Sequence, residues 1–168
     1  MRDLMSYAEK CMGILDDLGI EYGNIVDFKI NTRARNRWGQ CKVVPGGYSI
    51  NINASLLDER NDEEGLTNTI MHELLHSCKG CMNHGENWKR LAAKIYQVYG
   101  INIKRTSTAE EKGVKEETRP PKPVKSIKHK FVCEGCGQVI VRQRESEFTK
   151  HYDKYTCGRC HSHFKKIF

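Results

Sequence analysis

No run of about 18 apolar residues occurs in the sequence, and a transmembrane helix requires a run of about that length. A membrane span is therefore excluded. The N-terminus also lacks the apolar stretch of a signal peptide, since Asp3 already places a charge in the first few residues. We therefore expect a cytoplasmic protein that has no membrane partner.

The cysteine pattern does not indicate a secreted disulfide scaffold. Six of the eight cysteines fall in three C-x-x-C pairs, and no export signal accompanies them. Cysteine pairs of this spacing in a reducing compartment are typical of metal sites. The pairs are Cys78 with Cys81, Cys133 with Cys136, and Cys157 with Cys160.

Acidic residues are scarce in the C-terminal part of the chain. Residues 1–100 hold 12 Lys and Arg against 13 Asp and Glu, whereas residues 101–168 hold 16 against 8. The whole formal net charge of +7 therefore comes from residues 101–168. Such a basic segment favours a polyanion such as nucleic acid as a partner, the alternative being a solubilising linker.

Histidine occurs at only three positions between residues 1 and 128. His72 and His76 belong to an H-E-x-x-H pattern in a segment with the periodicity of an amphipathic helix. Because helix positions four apart lie on one face, both imidazoles can reach one metal ion, with Glu73 beside it. His84 is the nearest candidate for a third ligand. We predict a catalytic zinc site in which Glu73 is the general base.

Apolar spacing indicates an α+β fold in the first two thirds of the chain. A helix is predicted over residues 3–18, and strands over 25–31, 37–44 and 48–53, which form a small, mostly antiparallel sheet. The last two strands form a hairpin around Pro45-Gly46-Gly47.

Two further helices are predicted after the sheet. The first carries the H-E-x-x-H pattern, with Asn61 as its N-cap and Glu64 completing a capping box. The second runs from about Glu86 to about Tyr99. Trp88, in that helix, is expected either to pack over His84 or to belong to the apolar core, and both can hold.

The chain is predicted to consist of a domain over residues 1–105, a linker over 106–128 and a small module over 129–168. The linker interval has three prolines and no aromatic residue, so it cannot bury enough surface to order itself. The module has two C-x-x-C pairs separated by 20 residues, as in a zinc ribbon. So short a segment cannot be held by an apolar core alone. We expect one structural zinc, bound by Cys133, Cys136, Cys157 and Cys160.

Several further roles stay open at the level of sequence. The second electrophile of a hydrolase could be Tyr48, Tyr96, Tyr99 or Arg37, and the strand over 48–53 could pair with an extended substrate if it borders the cleft. Arg33, Arg35 and Arg37 alternate as on one strand face, which suits either phosphate contact or plain solvation. Cys78 and Cys81 could bind a second metal or form a redox-sensitive disulfide near the site, but we favour plain packing, because a zinc site with two thiolates needs further ligands and only Cys41 is an obvious one.

These motifs together resemble the SprT-like metallopeptidase family, to which the Spartan proteases also belong. The matching elements are Arg37-Trp38-Gly39-Gln40-Cys41 before a Pro-Gly-Gly turn, the strand over 48–53, the H-E-x-x-H pattern, His84-Gly85 followed by Trp88, and the ribbon. The resemblance implies a zincin-like catalytic domain with zinc held by His72, His76 and His84. It also implies proteolysis linked to DNA.

The leading hypothesis is therefore a monomeric zinc endopeptidase that cleaves nucleic-acid-associated proteins, with the ribbon and the basic linker holding it on DNA. The alternative is a non-catalytic, zinc-containing nucleic-acid-binding or transcription accessory protein, in which the H-E-x-x-H site is only structural. The presence of Glu73 favours the enzyme, because a purely structural site has no need of it. A third hypothesis is a peptidase whose ribbon binds protein.

Overall fold

A computed structural model of the chain describes residues 1–122 and 126–168. The described chain divides into two compact units, Met1–Pro121 and Lys122–Phe168. Residues 123–125, in the predicted linker, lie outside the described residues. No helix in the described ranges has both the length and the apolar character needed to span a bilayer. The architecture is mixed α and β, as predicted.

The first unit begins with helix α1, Leu4–Asp17. Asp3 is its N-cap, and its carboxylate accepts from the amides of Met5 and Ser6 at 3.2 Å. The helix buries the predicted apolar stripe against helix α2, Glu63–Ser77, which carries the H-E-x-x-H pattern. Helix α3, Glu86–Tyr99, follows after a short connection that contains His84.

The sheet of the first unit has three strands, β1 (Ile25–Asn31), β2 (Gly39–Val44) and β3 (Gly47–Asn53), in the order β1-β3-β2. Strands β2 and β3 form the predicted antiparallel hairpin, whereas β1 pairs with β3 in parallel. The sheet is therefore mixed, and the expectation of a mostly antiparallel sheet is wrong for this unit. The hairpin turns the chain around, so that β3 runs in the direction of β1 and can lie between β1 and β2.

Burial within the sheet is concentrated in its central strand. Ile50 and Ile52 of β3 are fully buried, while Val26 and Ile30 of β1 are 49% and 42% exposed. The apolar alternation predicted for β1 is present in the sequence but does not mark a buried face. A strand at the edge of a small sheet gains less from burial than the central strand does. The core formed with the helices includes Leu15, Leu56, Leu66, Ile70, Leu74 and Ile95.

The start of helix α2 differs from the prediction. The N-cap is Asp62, and no side-chain capping bond forms there. Asn61 is buried and binds elsewhere: its amide group donates to the Ser55 carbonyl oxygen at 2.6 Å, and its oxygen accepts from the Lys115 amide at 2.9 Å. Asn61 therefore connects the chain before α2 with a distant segment and does not cap the helix.

The first unit continues beyond residue 105, where the predicted domain ends. Residues 106–121 pack against it, and Lys112 and Val114 are buried there. The Trp38 indole N–H donates to the Ser107 carbonyl oxygen at 3.0 Å. Composition alone suggests a linker for this segment. In the structure Val114 joins the apolar core, and polar contacts with earlier parts of the chain hold the rest of the segment.

The three arginines of residues 33–37 lie in a loop between β1 and β2, so they do not form a strand face as predicted. Arg35 donates to Glu116 and to the carbonyl oxygen of Pro120. Arg37 donates to the Gln40 side chain at 2.9 Å. Arg35 therefore holds the 106–121 segment against the rest of the first unit.

The second unit contains an antiparallel sheet of strands β4 (His129–Cys133), β5 (Val139–Arg142) and β6 (Phe164–Lys166), in the order β5-β4-β6. Strand β5 includes the strand predicted over residues 139–141. A short helix α4, Glu147–Lys150, precedes the second cysteine pair. The buried cluster comprises Phe131, Cys133, Cys157 and Phe164.

Candidate active site and metal centres

The three predicted histidine ligands converge in the first unit. The Nε2 atom of His72 lies 3.2 Å from Nε2 of His76 and 3.0 Å from Nε2 of His84. His72 and His76 are one turn apart on α2, and the connection after α2 brings His84 back to them. Gly80, with φ +74°, permits a turn in that connection that other residues adopt at a cost.

Backbone carbonyls fix the orientation of two of these rings. Nδ1 of His72 lies 3.0 Å from the Lys104 carbonyl oxygen, and Nδ1 of His76 lies 2.7 Å from that of Cys81. A carbonyl oxygen can only accept, so each Nδ1 carries the proton and each Nε2 keeps its lone pair. Two lone pairs that face each other cannot hydrogen-bond, but both can coordinate a cation. The donor set therefore fits a divalent metal ion such as zinc.

The electrostatics of the cluster favour the neutral imidazole, which is the form that binds metal. Burial, together with the neighbouring imidazole of His76, lowers the pKa of His72 to about 4. Burial also lowers the pKa of His84.

Trp88 forms the back of the histidine cluster. Its ring centroid lies 4.7 Å from that of His84 and 5.0 Å from that of His72, and the side chain is only 3% exposed. Both predictions for Trp88 hold, because the ring packs over His84 and also belongs to the apolar core. Helix α3 therefore limits the movement of the third histidine.

Glu73 lies next to the cluster on α2, and it is 6% exposed. Burial raises the pKa of its carboxyl to about 7, opposed by the Cys41 backbone amide and by the positive charge of Lys112. A Cβ atom at Gly39 would lie 2.4 Å from the Glu73 Oε1 atom. Any larger residue at this position of strand β2 would collide with the Glu73 carboxylate. This close packing accounts for the glycine in the Arg37–Cys41 motif.

A cavity of about 240 Å³ opens beside Glu73. Its lining includes Trp38, His72, Lys104, Arg105 and Lys112. None of the four predicted second electrophiles is among the described residues that line it. Tyr99, for example, donates to Asp17 at 3.2 Å on the far end of α3.

Sequence analysis missed the residues that form one wall of this cavity, because they fall at the end of the predicted domain and in the predicted linker. The sequence of this interval nevertheless contains short patterns that are typical of an ordered turn. Thr108 and Glu111 have the spacing of a capping box, and Gly113 stands where a helical turn ends.

The four predicted ligands of the second unit also converge. The Sγ atoms of Cys133, Cys136, Cys157 and Cys160 all lie within 4.8 Å of one another. Backbone hydrogen bonds lower the pKa of Cys157 and lower that of Cys160 to about 6, with the Ser162 amide as the largest cause for Cys160. Thiolates placed at this spacing fit a tetrahedral metal ion.

Cys78 and Cys81 behave as core residues. Both are buried, and burial raises the pKa of the Cys78 thiol to about 12. Neither belongs to a cluster of three or more potential ligands among the described residues. Cys81 contributes through its backbone, since its carbonyl oxygen orients His76.

Comparison with known proteins places these features in a family. The family model described as SprT-like family matches residues 12–107, an interval that contains Glu73 and all three clustered histidines. A protein from Enterococcus faecalis named Protein SprT-like is 30% identical over 136 residues, which are 78% of this chain and 74% of the relative.

Two further relatives carry the same name. The one from Lactococcus lactis subsp. lactis is 31% identical over 137 residues, covering 79% of this chain and 74% of the relative. The one from Bacillus subtilis is 27% identical over 143 residues, covering 82% and 81%. The family match covers more than half of the chain, and the chain therefore belongs to the SprT-like family.

Proposed function

We propose that the protein is a zinc-dependent endopeptidase whose first unit is a zincin-like catalytic domain. The observation that carries this proposal is the convergence of three imidazoles next to a buried carboxylate. His72, His76 and His84 would hold the catalytic zinc, and Cys133, Cys136, Cys157 and Cys160 a structural one. When bound, the catalytic zinc lowers the pKa of a water molecule and polarises the substrate carbonyl.

Glu73 is the proposed general base. Its carboxylate would accept a proton from the attacking water and pass that proton to the leaving amine. The close approach of Glu73 to Gly39 supports this role, because it limits the positions that the carboxylate can take. The carbonyl contacts of His72 and His76 similarly hold the ligand rings in place.

Strand β2 is the proposed docking edge for an extended substrate. The strand over residues 48–53, which sequence analysis favoured, is β3 and lies in the middle of the sheet, so both its edges are already paired. Strand β2 pairs only with β3 among the described residues, and its first residue, Gly39, contacts Glu73. A substrate strand added to β2 would place its peptide bonds near the catalytic carboxylate.

The charge distribution supports substrates associated with DNA. Residues 122–168 hold 11 Lys and Arg against 4 Asp and Glu, whereas residues 1–121 are balanced. The second unit would then bring a cytoplasmic, monomeric enzyme to nucleic acid. If it does, the logarithm of DNA affinity falls steeply against the logarithm of salt concentration. A slope near zero would argue for a ribbon that binds protein.

The catalytic proposal is tested by Glu73→Gln. We expect peptide cleavage to fall by about 10²- to 10⁴-fold, because the change removes the proton acceptor and keeps the shape of the side chain. Cleavage of a DNA-binding protein should be measured with and without DNA, and zinc should be counted in both preparations. Glu86→Gln, an exposed acid at the start of α3, is the matched control.

The alternative of a non-catalytic nucleic-acid-binding protein is favoured by the basic, cysteine-rich second unit. It predicts that Glu73→Gln changes neither DNA binding nor any other activity. Cleavage that persists in a zinc-replete Glu73→Gln protein would exclude Glu73 as the base.

A further inference from the structure

The cavity beside Glu73 has an unusually cationic wall. Lys104, Arg105 and Lys112 line it together, and Glu73 is the one carboxylate among its lining residues. Lys104 already has a partner, since its ammonium lies 2.8 Å from Glu111. A cavity of about 240 Å³ that adjoins the catalytic carboxylate is large enough to admit a side chain of a bound peptide.

The Lys112 side chain is largely buried, while its ammonium stays open to the cavity. It is 7% exposed, and no described group lies within hydrogen-bond or ion-pair distance of its ammonium. Glu73 attracts it through space, but the two groups form no ion pair. Burial lowers the pKa of Lys112 to about 8, so that most molecules still carry the charge at neutral pH. Glu111 and Glu64 also attract the ammonium through space, but neither forms an ion pair with it. An anion in the cavity could therefore pair with the ammonium directly.

The backbone around Lys112 is tightly fixed. Thr108 and Glu111 form a capping box, with the Thr108 amide donating to Glu111 at 2.8 Å and the Glu111 amide donating to Thr108 Oγ1 at 3.2 Å. The amides of Gly113 and Val114 close the turn at 2.9 and 2.8 Å, and Gly113 has φ +60°.

The turn is also held against α2. A Cβ atom at Gly65 would lie 2.2 Å from the Lys112 carbonyl oxygen, so α2 has glycine where the segment crosses it. Asn61 accepts from the Lys115 amide on the other side of the turn. The position of Lys112 at the cavity is therefore determined by the fold and not by a mobile surface loop.

We propose that this cavity is an anion-binding subsite that takes an acidic side chain, Glu or Asp, of the substrate residue next to the scissile bond. The proposal rests on the proposed endopeptidase function. The substrate carboxylate would pair with the Lys112 ammonium and supply the partner that the folded chain does not. The alternative is that Lys112 contacts only the carbonyl oxygen of the scissile peptide. That role would not require a cavity large enough for a side chain.

The experiment begins with a library of peptides, whose cleavage sites are identified by mass spectrometry. From the best-cleaved peptide a pair is synthesised that carries Glu or Gln at the one preferred flanking position. We expect wild-type kcat/KM to be about 10- to 100-fold higher for the Glu peptide. This ratio corresponds to the free energy that a hydrogen bond to a charged group usually contributes.

The substitution Lys112→Met should remove this preference, so that the ratio of kcat/KM for the Glu and Gln peptides falls to about one. Because the Lys112 charge also lowers the pKa of Glu73, any change common to both peptides is expected to cancel in that ratio. Lys112→Arg, which keeps the charge, should retain the preference and shows that a change at this position is tolerated by the fold. Lys115→Met removes an exposed charge three residues away and should behave as wild type.

Two outcomes would overturn the subsite while leaving the peptidase intact. One is cleavage by the wild type without preference for an acidic residue. The other is an equal loss for Glu and Gln peptides in Lys112→Met. The Glu preference would then persist, and Lys112 would act on something common to both peptides, either Glu73 or the peptide carbonyl.

If the wild type cleaves no peptide, the proposed function fails. The existence of the subsite is then tested by peptide binding alone. Fluorescence anisotropy on the zinc-loaded protein uses labelled peptides of one fixed sequence that differ only in a central Glu or Gln. The Glu peptide should bind more tightly, with Lys112→Met abolishing the difference. Equal affinities for the two peptides would overturn the subsite as well.

Discussion

The two candidate metal centres lie in units with very different apolar cores. The histidine cluster borders a core to which helices α1, α2 and α3 and strand β3 all contribute. Among its described residues the second unit has a cluster of four buried core residues, and two of them, Cys133 and Cys157, belong to the cysteine cluster itself. The apolar core therefore positions the histidine cluster of the first unit, whereas we expect the second unit to depend on a bound metal for its stability.

This difference explains the chemistry that each centre can support. Ligands held by an independent core can leave one side of a metal ion free for water and substrate, because the fold does not need a fourth protein ligand. A metal that replaces a core must be enclosed by its ligands on all sides. The first unit matches the open kind of site, because its three histidines lie next to an open cavity. The second unit matches the enclosed kind, because its four cysteines surround a common centre.

The largest effect is expected for Cys133→Ser, which should affect the two units differently. We expect residues 126–168 to lose their folded structure and the first unit to keep its own, because only the second unit depends on its ligands for a core. Amide NMR spectra of the full chain distinguish the two units. His161→Asn is the matched control, since residue 161 has φ +59°, which Asn tolerates, and lies outside the cysteine cluster.

The second prediction concerns the core of the first unit. Leu74 is fully buried on α2, between His72 and His76 in sequence. Leu74→Ala should lower the free energy of unfolding of this unit by about 2–5 kcal/mol through a cavity in the core. Val98→Ala, at a position 61% exposed on α3, should change it by less than about 0.5 kcal/mol. Urea denaturation followed by tryptophan fluorescence measures both.

An equal effect of the two substitutions would contradict the view that the first unit depends on its apolar core. Since both tryptophans lie in the first unit, the fluorescence reports on that unit alone.

The smallest effect is expected at the cavity wall, where a capping box adds to the packing of Val114 in the core. Thr108→Ala removes one half of the capping box and should cost about 1 kcal/mol. We expect the loss to be local, so that amide hydrogen exchange accelerates over residues 108–114 while α2 stays protected. Glu110→Ala, an exposed neighbour in the same turn, is the control. Faster exchange throughout the first unit would show that the wall and the core unfold together.

Much of the candidate site could be predicted from the sequence because its spacing is local. The pair His72 and His76 needs only a helix, and the two C-x-x-C pairs need only tight turns, so short patterns sufficed. His84 could be proposed because few residues separate it from His76. The helices and strands were likewise found where apolar periodicity is strong, with errors at the caps.

The sequence by itself determined the candidate ligand residues, the order of the elements and the division between a balanced N-terminal part and a basic C-terminal part. Tertiary structure decided which strand is central, that Asn61 binds Ser55 and Lys115 instead of capping α2, and that Lys112 lies in the same cavity as Glu73. These features depend on contacts such as those of Trp38 with Ser107 and of Asn61 with Lys115, which join residues more than 50 positions apart. Composition and periodicity report only on residues that are near one another in sequence. They cannot detect the distant contacts of residues 106–121, so this wall of the cavity was predicted to be a linker.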